Sequence, residues 1–137
     1  MAILIDTSFL LALVFASDMN HSVVRRAMRE IREERIIPAP VLPEFFYICA
    51  TRMNYTAAIN ALVLVQSDLF SIETLTRVDM PRMQQIMEKY ADNKFDFVDT
   101  SLMALSERPG IEDIYTLDQR DFRVFRPKHC PYLRIFP

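Results

Sequence analysis

The run Ala2-Ile3-Leu4-Ile5 has no polar position and stops abruptly at Asp6. A short, unbroken apolar run of this kind reads as a buried strand. Asp6 therefore stands where such a strand ends, followed at once by Thr7-Ser8 and an apolar, helix-like stretch. In an open α/β sheet, the crevice beyond the strand ends is where ligands bind. Acids seldom follow a buried strand directly without a partner, so Asp6 constrains both the architecture and the chemistry.

The rest of the chain extends that first unit. Thr7 is expected to cap a helix reaching about Phe15. Between Asn20 and Glu34, Val23, Val24, Ala27, Met28 and Ile31 recur at helical spacing. Arg25, Arg29 and Arg32 occupy another face, a pattern that usually means solvation and alternatively contact with RNA. Ile36-Ile37 reads as a short strand, broken by Pro38 and Pro40. Pro43 suits the first turn of a helix running to about Met53. A further helix is expected from Tyr55 to Leu69, with Ile59, Leu62, Val65 and Leu69 inward. Ser71 to Thr74 reads as a strand, and Asp79 with Pro81 opens a helix carrying Met83, Ile86, Met87 and Tyr90. The methionines at that spacing read as core or interface filler. A helix from about Phe97 to Arg108 is stopped by Pro109-Gly110. Asp113–Leu117 and Leu133–Phe136 complete a set of about five strands. Strands alternating with helices imply a mostly parallel sheet covered by helices, in one domain spanning residues 1–137.

Composition removes several function classes. The single glycine, Gly110, leaves no room for a phosphate-cradling loop or a dinucleotide fingerprint. No apolar run approaches the ~20 residues of a membrane span. No cation precedes the apolar stretch near the N-terminus, and Asp6 interrupts it, which speaks against a secretory signal and for a cytoplasmic chain. Cys49 and Cys130 lie far apart, and neither they nor His21 and His129 form a zinc or redox motif. The net charge of −2 does not advertise nucleic-acid binding. Yet Arg120, Arg123, Arg126, Lys128 and Arg134 face the single acid Asp121 after residue 118, and a local basic stretch attracts phosphate.

The acids carry the chemistry. Glu44 follows Pro43, Asp96 and Asp99 share one helical face, and Asp118 follows Ile114-Tyr115-Thr116-Leu117. Each has an ordinary explanation: Asp96 as a helix cap, Glu44 as a partner of a helix dipole, Asp118 and Asp121 as turn formers, Asp99 as an exposed helix residue. Their arrangement argues otherwise. Parallel strands bring their C-terminal ends to one edge, where Asp6 and Asp118 would lie and which the helix starts bearing Glu44 and Asp99 can reach. Carboxylates this close repel, and a shared divalent cation relieves the repulsion. Oxygen ligands without His or Cys point to Mg²⁺ or Mn²⁺. Such a site suits phosphodiester hydrolysis, with Arg120 or Arg123 holding flanking phosphates.

Four motifs in order, Ile3-Leu4-Ile5-Asp6-Thr7-Ser8, Val41-Leu42-Pro43-Glu44, Asp96-Phe97-Val98-Asp99-Thr100-Ser101-Leu102 and Tyr115-Thr116-Leu117-Asp118-Gln119-Arg120-Asp121-Phe122, resemble the PIN-domain nucleases. The resemblance is greatest to the VapC-type toxins of prokaryotic toxin–antitoxin pairs. It implies a three-layer α/β/α fold and a metal-dependent endoribonuclease. Asp6, Glu44 and Asp99 fall on the main catalytic acids, Asp118 on a more variable fourth, and Thr7 and Thr116 on supporting hydroxyl positions. Asp96 contributes or only caps. Thr100 departs from the small residue usual after the third acid. The resemblance also implies a small VapB-type antitoxin partner and a homodimer. Phe45-Phe46-Tyr47 is a candidate apolar surface for such contacts, with core packing as the alternative.

Three other readings compete. Aspartyl-phosphate transfer would want a second acid where Ser8 stands and a lysine after a strand, but Lys89, Lys94 and Lys128 are the only lysines and none is so placed. A non-catalytic RNA- or protein-binding module would not need every acid. A PIN-type nuclease of RNA maturation remains chemically equivalent to a toxin.

Overall fold

The computed structural model describes residues 1–137. The elements are β1 (Ala2–Ile5), α1 (Thr7–Val14), α2 (His21–Glu30), β2 (Glu34–Pro38), α3 (Val41–Arg52), α4 (Tyr55–Val65), β3 (Ser71–Glu73), α5 (Asp79–Lys89), α6 (Phe97–Glu107), β4 (Asp113–Tyr115), α7 (Arg120–Val124) and β5 (Arg134–Phe136). The five strands form one sheet in the order β3-β2-β1-β4-β5, parallel throughout. The chain steps outward from β1 to β2 and β3, then returns to the other side of β1 for β4 and β5. The gap between the ends of β1 and β4 is therefore a topological switch point, where open α/β sheets bind ligands.

β1 is central, which explains its unrelieved apolar pattern: Ile3, Leu4 and Ile5 are all buried. They join a continuous core with Phe9, Leu10, Ile37, Phe45, Leu102 and Phe122.

Several expectations shift. The α1 cap is Asp6, not Thr7, because the Asp6 side chain accepts the Thr7 N–H. The second helix stops at Glu30 because Ile31 turns extended and Glu34 is drawn into β2 opposite Ala2. Pro38 does not break β2 but ends it, paired with Glu73. Helix α4 stops at Val65, short of the expected Leu69; Val65 is buried with Ala58 and Ala61, whereas Ile59, Leu62 and, beyond the helix, Leu69 are exposed. With apolar residues all round this helix, periodicity does not choose a face; α3 packs against it and takes the small residues. Met83 and Ile86 are buried and Met87 is exposed. Helix α7 was not expected, being too short to show a period. Phe45 belongs to the core, while Tyr47 faces solvent. Both cysteines are free thiols.

Two ion pairs join α5 to α6, the helix that carries Asp99. Arg82 holds Glu107 through Nε (2.6 Å) and Nη2 (2.8 Å), and Arg108 holds Asp79 through Nε at 2.9 Å. Glu107 also accepts the Lys128 N–H at 2.8 Å, tying the C-terminal segment to the same carboxylate. Its side chain is largely buried. Truncation strands Arg82, so Glu107→Ala is expected to cost about 2–3 kcal/mol in urea unfolding. An unchanged unfolding midpoint would show that this junction does not hold α6.

Candidate active site

Asp6 leaves the end of β1 and is only 4% exposed. Its Oδ1 accepts the Thr7 N–H at 2.7 Å, and its Oδ2 accepts the Thr116 hydroxyl at 2.7 Å. Thr116 stands immediately beyond β4, so this bond spans the switch point. The Ser8 hydroxyl lies 3.3 Å from Asp6 Oδ2 and 3.1 Å from Thr116 Oγ1. Backbone donors set the direction of these hydroxyls. The Leu117 N–H donates to Ser8 Oγ at 2.9 Å, and the Asp118 N–H donates to Thr116 Oγ1 at 3.1 Å. With their lone pairs engaged by the turn after β4, the hydroxyls are free to direct protons at Asp6.

Burial raises the Asp6 pKa to about 6, and the charge of Glu44 adds to the rise. Hydrogen bonds from Thr116, Thr7 and Ser8 pull it back. Glu44 sits half-buried in the first turn of α3. Asp99, in the first turn of α6, is 9% exposed. Burial, then the charges of Asp96, Asp6, Asp121 and Asp118, push its pKa up to about 8. Four remote parts of the chain thus place carboxylates within electrostatic reach of one another.

The bland and the functional roles separate cleanly for Asp96. It is exposed and caps α6, with Oδ1 accepting the Asp99 N–H at 2.8 Å, while its charge bears on Asp99. Thr100, although buried, gives its hydroxyl to the Asp96 carbonyl at 2.7 Å, so a larger polar residue fits there without an unpaired group. The Thr7 hydroxyl is buried without a partner; of Thr7, only the backbone supports Asp6. Ser8 takes the side-chain role instead. Asp118 is exposed, Arg120 makes no ion pair, and Arg123 donates to Gln119 at 2.7 Å.

Two contributors escaped the sequence reading. Ser8 was visible only as the second hydroxyl after Asp6, and Asp121 looked like a turn former until α7 brought its charge to Asp99. The donor set suits a hard divalent cation: carboxylates only, mutually repelling, on an open edge. No three of these side chains already close on a common point as a finished cage.

The sequence pattern of the PIN domain matches residues 3–126. The chain belongs to the PIN-domain family. Ribonuclease VapC26 of Mycobacterium tuberculosis is 27% identical over 124 residues, covering 90% of this chain and 92% of that protein. The 23S rRNA-specific endonuclease VapC20 of the same species is 25% identical over 116 residues, covering 85% and 88%. The crystal structure of VapC20, described as a sarcin–ricin loop cleaving toxin, superposes with a TM-score of 0.80 at 24% identity, covering 85% of this chain and 90% of that one. VapBC2 of Rickettsia felis, bound to a DNA fragment from its promoter, gives 0.70 at 11% identity, covering 98% and 97%. At these identities the structures speak to fold alone. The VapC-type homologues match this PIN domain over most of its length, and its five parallel strands flanked by helices are the PIN-like architecture. No helix is long and apolar enough to cross a membrane.

Proposed function

We propose that this PIN domain is a Mg²⁺- or Mn²⁺-dependent endoribonuclease and the toxin component of a VapBC-type pair. The observation that carries this reading is the pair of buried carboxylates, Asp6 beside the β1/β4 switch point and Asp99 in the first turn of α6, with the charge of Asp6 bearing on Asp99. Burying two like charges is costly unless something positive joins them.

Asp6, Glu44, Asp99 and Asp118 would hold the ion, with Asp96 beside them. When bound, the cation polarises a phosphoryl oxygen and makes water a better nucleophile near neutral pH. The remaining work belongs to the protein. Thr116, Ser8 and the Thr7 N–H fix the Asp6 carboxylate in one orientation, so little reorganisation is left for the reacting complex. Burial and the neighbouring acids raise the Asp99 pKa to about 8, and a bound cation would favour its ionised form. Arg120 and Arg123, exposed on α7, would hold phosphates flanking the cleaved bond. A small antitoxin would silence the site by covering these acids, and a homodimer is expected from the same kinship.

The test is RNA cleavage by purified protein. Fragments are expected with Mn²⁺ or Mg²⁺ and none with EDTA. Cleavage that persists in EDTA would refute the metal-dependent reading. Growth arrest on induction, relieved by co-expressing a VapB-type partner, separates a toxin from an RNA-maturation nuclease.

A further inference from the structure

We propose that the arginine face of α2, with Arg35 of β2, forms a second RNA-contact strip away from the acids. The proposal rests on the ribonuclease reading and adds where the substrate is held. A cleft of about 370 Å³ is lined by Leu13, Arg25, Met28, Arg29, Arg35 and Leu69. Three of its six residues are arginines and none is an acid. None of these arginines has a carboxylate oxygen within ion-pair distance; every salt bridge in the molecule involves Arg82, Arg108 or Arg134. Glu34 adjoins Arg35 in sequence and Glu33 is two residues away, but neither forms an ion pair with it, and Glu33 accepts the Arg32 backbone N–H at 3.0 Å.

Arg35 is held in place. Its Nη2 donates to the carbonyls of Ile31 (2.7 Å) and Met28 (3.2 Å) at the end of α2, while its Nε is buried without a protein acceptor. Arg25 and Arg29 are exposed one helical turn apart, and exposed Arg32 continues beyond the helix. Arginines rooted one helical turn apart, with Cβ atoms about 6 Å from each other, suit an anion that repeats. Planar forks of this kind recognise phosphate bidentately. An isolated acidic side chain would need only one of them. Aliphatic Leu13, Met28 and Leu69 offer cover for sugar and base faces.

The strip is within reach of the chemistry. Arg35 is paired with Ile3, three residues before Asp6, which is about 10 Å along the strand. An RNA chain engaged at the acids can therefore extend across it, contributing affinity without entering the reaction.

The experiment measures binding of a fluorescein-labelled single-stranded RNA in EDTA, which separates binding from hydrolysis, and cleavage kinetics in Mn²⁺. R25Q/R29Q is expected to weaken binding about tenfold and to flatten the log K against log salt slope by about 1.4, two phosphate contacts at ~0.7 each. KM should rise by the same factor with kcat unchanged. R25K/R29K, which keeps both charges, should retain the slope, and R52Q on α3 should change nothing. Both arginines are exposed, so melting should match the wild type; if R25Q/R29Q melts early, R25Q and R29Q singly should each flatten the slope by about 0.7. An unchanged dissociation constant and slope overturn the strip. Loss of antitoxin binding with RNA binding intact overturns it too, assigning the face to an acidic protein segment. Wild-type protein that binds RNA but never cleaves it would sink the nuclease reading and leave the strip to the binding data.

Discussion

Asp6→Asn is expected to slow RNA cleavage by about 10²–10³-fold, comparable to losing one preorganised electrostatic group from an active site, while the protein stays folded. The two halves of that expectation have different causes. Asparagine matches aspartate in shape but removes the charge that a cation would need, so a reaction run on a bound cation would lose a ligand. It also offers one acceptor where Asp6 uses two, for the Thr7 N–H and the Thr116 hydroxyl. One hydrogen bond is lost, at about 1 kcal/mol. Against this, the buried charge itself is costly. A carboxyl moved from 3.8 to about 6 penalises the ionised fold by about 3 kcal/mol at neutral pH. The variant should therefore unfold at the same urea concentration as the wild type, or a higher one. Cleavage at the wild-type rate by the Asn variant would show that Asp6 is not a ligand.

The second large effect is on stability. In EDTA the protein is expected to lose stability as pH rises from 5 to 8. Burial first, then neighbouring charge, raises Asp6 to about 6 and Asp99 to about 8. Between its ordinary and its folded pKa, each carboxyl binds more protons in the folded chain than in the unfolded one, so raising pH favours unfolding. Asp6 alone accounts for about 1–2 kcal/mol across that window, and Asp99 acts in the same direction. Asp79 and Glu107 are held below their ordinary values by hydrogen bonds and by Arg108 and Arg82, despite their burial. Their contribution is lost only at more acidic pH, so they do not mask the trend.

Mn²⁺ should reverse this trend. A cation held by these acids would bind more tightly as they lose their protons, and would stabilise the fold by about 3 kcal/mol at a hundred times its dissociation constant. Urea melts at pH 5.5 and 8, with and without Mn²⁺, read both effects. A flat profile in EDTA, or no gain from Mn²⁺ at pH 8, would show that the carboxylates are not under mutual strain.

The architecture was legible because its signals are local. An apolar run buried on both faces, a proline opening α3 and the Pro109-Gly110 stop after α6 each act within a few residues. Where a local signal was ambiguous, packing decided. Helix α4 has no charged residue to mark its outer face, and only α3 determined that Ala58 and Ala61 turn inward. The second helix gave up its last turn to β2 because strand pairing with β1 outweighed helical propensity.

The site divides along the same line. The types and order of Asp6, Glu44, Asp99 and Asp118 were readable, since Asp6 marks the end of a strand, Glu44 and Asp99 the first turn of a helix, and Asp118 the connection between β4 and α7. Which neighbours hold and charge them was not. Ser8 and Thr116 are 108 residues apart in sequence, and their contact exists only because the return of the chain past β1 lays β4 beside it. Thr7 and Ser8 are equivalent as hydroxyls in the sequence, but the first turn of α1 directs only Ser8 toward Asp6 and Thr116. Sequence by itself determined the chemical character of this protein, because side-chain type and local period are encoded residue by residue. Tertiary structure alone decided the proton affinity of its acids, because burial and the distance between charges are properties of the assembled sheet.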